Sequence, residues 1–460
     1  MSIQTINPFE NNVVKTFDEM PDEKIDQAVL KGHKAFQTWR KTPFAERAKV
    51  LSQAAAIMRR KKEEFARIIT TEMGKLINEA RGEVALSADI LDYYATHAES
   101  FLKNQTVKVA QGEAFIEFCP IGVILGVEPW NFPFYQVVRI AGPNIMVGNT
   151  VLIKHASNVP QCGIALENIF REAGAPDGVF TNLLISSKKV NQVIKNPLIA
   201  GVSLTGSETA GAEVAATAGK SLKKSVLELG GSDPFIVLED ADIDQTIRSA
   251  VFAKMNNTGQ CCVAAKRFIV MDKVADEFIK KLSEQLATLK VGDPLDEKTT
   301  LGPLSSEAAA RQLQTQIEDT VKLGAKVVLG GKRPERSGAF VSPTILVDVK
   351  PGMPAYNEEL FGPVATIFRV KTDQEAIDLA NDSLFGLGAS IFSNNKARAT
   401  EMATQIDSGM VFINHPTWTA PELPFGGTKS SGYGRELSEM GIFEFVNKKL
   451  IRTSEYSDPF

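Results

Sequence analysis

An α/β fold, with two open α/β domains and a small β arm, is what this sequence predicts from three observations. Short apolar runs alternate with helix-like segments between residues 127 and 270, and the same rhythm returns after 270. Strand runs spaced by roughly 10 to 15 helix-like residues build parallel sheets covered by helices on both faces. Two extended stretches, Gln105–Ala110 and Ala114–Cys119, stand apart from other strands and need partners elsewhere in the chain. With 460 residues, 43% of them hydrophobic, there is core enough for two or three domains.

Residues 1 to 100 read mostly as amphipathic helix, with apolar positions recurring through Ala45–Thr71 and Val84–Tyr94. The two isolated strands follow, then Val123–Val127. Phe443–Thr453 is a fitting partner for them, and strands drawn from two chain regions can extend a sheet across a subunit boundary. The first parallel set is Thr150–Ile153, Phe180–Ile185, Ile199–Leu204 and Ser225–Leu229, with Phe235–Leu238 and Phe268–Val270 after it. Beyond 270 come helix Val274–Leu289, strand Lys326–Leu329, helix Asp373–Asn381 and strand Ala389–Phe392. The Gly230-Gly231-Ser232-Asp233-Pro234 turn marks the division. The expected domains are therefore 1–103 with 127–230, then 231–440, with 104–126 and 441–460 as the arm.

Composition excludes several classes. Fifty-one Lys+Arg against 55 Asp+Glu give a net charge of −4, without the basic stripe that a nucleic-acid partner requires. No window reaches the roughly 18 apolar residues of a membrane span, and Met1-Ser2-Ile3-Gln4-Thr5 does not begin a secretory signal, so a cytoplasmic protein is expected. The four cysteines contain no C-x-x-C and the four histidines no H-E-x-x-H, so no metal site is expected. G-x-G-x-x-G and G-x-S-x-G are absent. Gly219-Lys220-Ser221 resembles the end of a phosphate loop, but Val214 stands where the loop needs its first glycine.

Three segments carry reactive chemistry. In Asn256-Asn257-Thr258-Gly259-Gln260-Cys261-Cys262, a thiol between a helix and a strand is a nucleophile if nearby donors stabilise its thiolate. The competing reading is a pair of small buried hydrophobes, and geometry alone does not choose between Cys261 and Cys262. Glu228 ends an apolar strand, where burial raises a carboxyl toward neutrality and makes it a general base. A structural acid capping the next turn is the alternative. Asn131, between Trp130 and Phe132, is an amide suited to a developing oxyanion, or else a buried turn amide. The Leu204-Thr205-Gly206-Ser207-Glu208 loop offers free amides at a helix start, suited to a pyrophosphate.

Together these segments resemble the aldehyde dehydrogenase superfamily across nearly the whole chain. The pieces stand in the family's order: Pro129-Trp130-Asn131-Phe132-Pro133, Ile153-Lys154-His155-Ala156, Thr205-Gly206-Ser207, Glu228-Leu229-Gly230-Gly231, Gly259-Gln260-Cys261-Cys262, Glu358-Glu359-Leu360-Phe361-Gly362-Pro363 and Pro424 through Gly432. The resemblance implies an aldehyde dehydrogenase-like fold, with an NAD(P)-binding domain at 1–103 and 127–230, a catalytic domain at 231–440, and an arm joining a homodimer or homotetramer. It makes Cys262 the nucleophile, Glu228 the base, and Asn131 with the Cys262 N–H the oxyanion hole. It implies coenzyme contacts at Trp130, Lys154, Ser157, Thr205, Gly206, Ser207, Glu359 and Phe361.

Two positions refine the expectation. Many NAD-preferring members of the family carry a glutamate where this chain has Ser157, and a neutral hydroxyl there tolerates a 2′-phosphate that Lys154 can pair. NADP is thus favoured over NAD. Arg139 lies eight residues beyond Asn131, the offset at which the succinate-semialdehyde dehydrogenase branch contacts its substrate carboxylate. That branch often has a second arginine where this chain has Asn256. Tyr135, Trp418 and Thr419 are expected at the substrate entrance. The implied reaction is oxidation of succinate semialdehyde to succinate through a cysteine thiohemiacetal and thioester; a broader aliphatic or glutarate semialdehyde dehydrogenase is the alternative.

Overall fold

A computed structural model describes residues 2–457 of the chain. Its first sheet has six strands, in the order Gly432–Tyr433, Lys224–Glu228, Ile199–Thr205, Val123–Glu128, Thr150–His155, Phe180–Asn182. All pair in parallel except the first. The chain builds outward from Val123–Glu128 in one direction, then returns to its other side with Ile199–Thr205. A reversal of this kind leaves a crevice at the carboxyl ends of the two central strands. The turns after Glu128 and Thr205 both open onto it.

The second sheet has seven strands: Lys326–Leu329, Thr344–Val347, Val364–Val370, Ala265–Met271, Asp233–Val237, Gly388–Phe392, Met410–Ile413. Only its first pair is antiparallel. Sheet membership changes between Glu228 and Asp233. Central strands such as Phe235-Ile236-Val237 are wholly buried, which is why they read as continuous apolar runs rather than alternating ones.

Of the four helices Asp22–Trp39, Phe44–Arg60, Lys62–Met73 and Ile77–Phe101, the second and the fourth pack on the helix Tyr135–Val147, in which every residue is buried. The start of that helix is capped from a distance. Glu83 accepts hydrogen bonds from Phe134 N (2.7 Å) and Tyr135 N (3.2 Å) and pairs with Lys75, whose Nζ lies 3.6 Å from the Phe132 ring centroid. A carboxylate at a helix N-terminus satisfies free amides and favours the dipole. This anchors the turn that carries Asn131.

The structure corrects several expectations. Residues before the helices form a hairpin, Ser2–Asn7 with Asn12–Asp18; its second strand is almost fully exposed, so no buried face betrays it. Val123–Glu128 lies at the centre of the first sheet, so the arm segment expected at 104–126 ends at Pro120. The arm sheet itself is Val446–Thr453, Glu113–Pro120 and Gln105–Val107, antiparallel throughout. Gly432–Tyr433 returns to the first sheet before residue 440. Strands Thr344–Val347, Val364–Val370 and Met410–Ile413 escaped the sequence reading because they lie among turn residues that mask short apolar runs. No helix among the described residues is long and apolar enough to cross a membrane.

Candidate active site

The crevice of the first sheet is closed by the amino ends of strands in the second. A cavity of about 650 Å³ results, and Trp130, Asn131, Thr205, Gly206, Ser207, Glu228, Cys262, Glu359 and Phe361 all line it. Nine residues picked from five separate segments thus meet in one place.

The nucleophile loop is held by strained backbone. Asn257 and Thr258 have φ of 51° and 55°, followed by Gly259 at 76°. A Cβ at Gly259 would stand 2.2 Å from Gly362 O, so only glycine fits both that angle and that approach. Asn257 secures the loop through its side-chain amide, donating to Asn131 O (2.8 Å) and Gln260 O (3.1 Å). Glu79 accepts from Asn257 N at 3.0 Å.

Accessibility separates the two cysteines. Cys261 is buried and Cys262 partly exposed, and only Cys262 lines the cavity. Its thiol is pushed well above the ordinary value, first by its hydrogen bond with the Cys261 thiol, then by burial and by the charge of Glu228. The resting nucleophile is therefore the thiol, and a base must remove its proton.

Glu228 has that capacity. Burial, the largest influence, raises its pKa to about 7; Arg139 opposes the shift, Glu436 reinforces it, and a hydrogen bond from Cys262 lowers it. Oε2 lies 3.3 Å from Arg139 Nη2, while Oε1 has no hydrogen-bond partner among the described residues. A carboxylate poised near neutrality with one free oxygen is fitted to take a proton from a thiol or a water.

Asn131 is aimed by its neighbours. Gln136 Nε2 donates to its Oδ1 at 3.0 Å, which turns its Nδ2 toward Gln260 O at 3.2 Å. The amide hydrogens thus face the Cys262 loop, as an oxyanion donor must.

The donor set fits a dinucleotide. Ser207 caps the helix Glu208–Lys220, accepting from Ala210 N, and the amides of that first turn point at the crevice. Trp130 and Phe361 meet edge to face, 5.7 Å between centroids. Lys154, the penultimate residue of the strand Thr150–His155, lies outside the cavity wall. Burial lowers its pKa to about 8, and no acid among the described residues offsets that. A buried ammonium with no partner is a site prepared for an incoming anion or hydroxyl. Ser157 lies exposed in the turn beyond it. Glu359 Oε1 accepts from Gly231 N and pairs with Lys266, leaving Oε2 for a ligand hydroxyl.

Arg139 departs from expectation. Its side chain is fully buried, ion-paired with Glu436 and with Glu228, and donates to Thr205 Oγ1 (3.1 Å) and Tyr135 OH (3.2 Å). The guanidinium also stacks on Tyr135 and Phe425, at 5.0 and 4.7 Å. It does not line the cavity. Tyr135 OH in turn shares a 2.8 Å hydrogen bond with Thr419 Oγ1. Arg139, Tyr135 and Thr419 therefore form a buried polar chain, with the arginine at its protein end. Trp418 packs on Phe252, 5.1 Å between centroids.

Sequence reading missed Gln136, Glu83, Glu436 and Lys266. Lys266 alone left a signal, a cation at the start of an apolar strand directly after the nucleophile.

The model of the aldehyde dehydrogenase family matches residues 1–451. The chain belongs to the aldehyde dehydrogenase family. Among relatives, it is 53% identical over 448 residues to a succinate-semialdehyde dehydrogenase [NADP(+)] of Deinococcus radiodurans, covering 97% of this chain and 94% of that one. A probable succinate-semialdehyde dehydrogenase [NADP(+)] of Synechocystis is 46% identical, covering 98% of this chain and 99% of the relative. The crystal structure of succinic semialdehyde dehydrogenase from Streptococcus pyogenes in complex with NADP+ has a TM-score of 0.97 at 47% identity, covering 98% of this aldehyde dehydrogenase and 100% of that chain.

Proposed function

We propose that this aldehyde dehydrogenase oxidises succinate semialdehyde to succinate, with NADP preferred over NAD. The observation that carries the reading is the meeting of the Cys262 thiol, the Asn131 amide and the unpartnered oxygen of Glu228 at one end of a dinucleotide-sized cavity. The names of the similar proteins support the choice of substrate and coenzyme.

Glu228 takes the Cys262 proton, and the thiolate attacks the aldehyde carbon to give a thiohemiacetal. Asn131 Nδ2 and the Cys262 N–H hold the oxygen that gains charge. Bound in the crevice, the nicotinamide supplies the hydride acceptor that an aldehyde carbon needs to reach the acid oxidation state. Loss of hydride leaves a thioester on Cys262. Glu228 then removes a proton from water, which attacks the thioester and frees the acid and the thiol.

The substrate carboxylate meets the hydroxyls of Tyr135 and Thr419, with Arg139 behind them donating to the Tyr135 hydroxyl and holding it in place. Lys154 and Ser157 accept the adenosine ribose and its 2′-phosphate, the serine presenting no like charge. Ser207 caps the pyrophosphate site, and Glu359 and Phe361 hold the nicotinamide ribose. The first sheet with its helices is the coenzyme domain and the second the catalytic domain. The arm edge at Val446–Thr453 pairs with another copy, in a homodimer or homotetramer.

A steady-state panel of semialdehydes and neutral aldehydes, each run with both coenzymes, tests this. The kcat/KM is expected to be highest for succinate semialdehyde with NADP. A neutral aldehyde of equal length turning over as well would favour the broader aliphatic enzyme.

A further inference from the structure

Lys266 is the second residue of the strand Ala265–Met271, four residues beyond Cys262. Its side chain is 4% exposed. An ammonium has three N–H donors, and three acceptors surround this one: Cys261 O at 3.0 Å, Cys262 O at 2.7 Å and Glu359 Oε1 at 2.7 Å. The donor count and the acceptor count match, so the head group has no freedom left for a ligand. Burial works against its charge, yet Glu359 and Asp233 raise its pKa above the ordinary value.

The acceptors are not arbitrary. Every peptide bond among the described residues is trans, and in a trans peptide the C=O and the following N–H point in opposite directions. Pinning the Cys261 carbonyl therefore fixes the aim of the Cys262 N–H. That N–H donates to no backbone carbonyl among the described residues. From the other side Gly231 closes the vice, since a Cβ there would stand 2.6 Å from Cys262 O.

We propose that Lys266 is the positioning residue of the oxyanion hole: by holding the Cys261 and Cys262 carbonyls it aims the Cys262 N–H at the substrate oxygen, and through Glu359 it ties that aim to the coenzyme side of the cleft. The proposal deepens the aldehyde dehydrogenase reading and rests on it. The cation also polarises the Cys261–Cys262 peptide, strengthening its N–H as a donor.

The test compares wild type with Lys266→Met, which keeps the length and removes the donors. On the aldehyde that wild type turns over best, kcat is expected to fall on the order of 100-fold, the loss typical of one oxyanion donor, with the aldehyde KM within about threefold. Alkylation of Cys262 by iodoacetamide needs no oxyanion hole and should stay within about threefold of wild type. A merely structural role would move alkylation and turnover together. Retention of kcat within about threefold overturns the proposal, as does a parallel fall of kcat and alkylation. If Lys266→Met does not fold, Lys266→Arg decides, because its fork still reaches both carbonyls. A folded arginine variant is expected within about tenfold of wild-type kcat, and one that loses a hundredfold refutes the role. Wild type inert toward every aldehyde would defeat the enzyme reading itself, whereas an active wild type matched by an equally active methionine variant defeats only Lys266.

Discussion

Two buried lysines flank the cleft, one on each wall, and their surroundings are opposite. Lys154 lies one residue before the end of a strand of the first sheet, carries no ion pair among the described residues, and has its pKa lowered by burial to about 8. Lys266 is the second residue of a strand of the second sheet and has its three donors filled by protein acceptors. A charge buried with spare capacity costs stability and waits for a ligand; a charge with its full complement belongs to the scaffold. The same contrast separates Glu228, with a free Oε1, from Arg267, whose guanidinium donates to Ser232 O, Leu379 O and Ala380 O. Groups with spare capacity should therefore act on a ligand directly and spare stability when removed, whereas saturated ones should affect stability and reach function only through the backbone they hold, as Lys266 does.

The largest expected effect is at Glu228. Glu228→Gln keeps the shape and removes the base, so kcat should fall by about 10²- to 10⁴-fold, while the thermal midpoint stays close to wild type. A matching loss of stability would break the contrast. In the wild type, a pKa of about 7 means the active, ionised form is lost as pH falls. The kcat/KM should therefore rise with pH through about 7 before levelling, read from initial rates across the range.

Arg267→Met tests the opposite class. It strands three buried carbonyls, each worth roughly 1 kcal/mol or more when unsatisfied, so a drop of about 3 kcal/mol in unfolding free energy is expected from denaturant titration. Coenzyme KM in the surviving folded protein should change little.

Lys154→Met sharpens the comparison further. A hydrogen bond to a charged group contributes about 1.5–3 kcal/mol, so the NADP KM should rise about 10- to 100-fold with kcat nearly unchanged. Stability should hold or improve, because an unpaired buried charge has gone. In the wild type the NADP KM should climb above pH 8, as the ammonium of the free enzyme loses its proton near the value burial gives it.

The smallest effect is at the substrate end. Thr419→Val removes one hydroxyl from the Tyr135–Thr419 pair. A loss of about three- to tenfold in kcat/KM is expected for succinate semialdehyde, within the range of a single hydrogen bond, and less for a neutral aldehyde of the same length. Equal losses on both substrates would remove the carboxylate role from this chain of hydroxyls.

What the sequence disclosed follows the same division. Asn131, Glu228 and the Cys261–Cys262 pair were legible as candidates because chemistry leaves short local signatures, an amide between aromatic rings, an acid ending an apolar strand, thiols after a glycine turn, while the choice of Cys262 came from the family resemblance. The parallel sheets were legible from strands such as Ile199–Thr205, whose burial on both faces forces apolar runs. The buried partners of Arg139 were not legible, since its offset from Asn131 is a local feature while Glu436 and Thr205 come from distant segments. Lys266 was passed over although its place near the start of an apolar strand was a signal, because two of its acceptors are backbone carbonyls, which no residue type advertises. The hairpin at Ser2–Asp18 left no periodic trace because its second strand faces solvent almost throughout.

Trapping the acyl enzyme tests the central claim most directly. Wild type, mixed with succinate semialdehyde and NADP and acid-quenched within the first turnover, should carry a succinyl thioester on the peptide containing Cys262, with reduced coenzyme formed in matching amount. The same modification on Cys261, or reduced coenzyme without any modification at Cys262, would contradict the account.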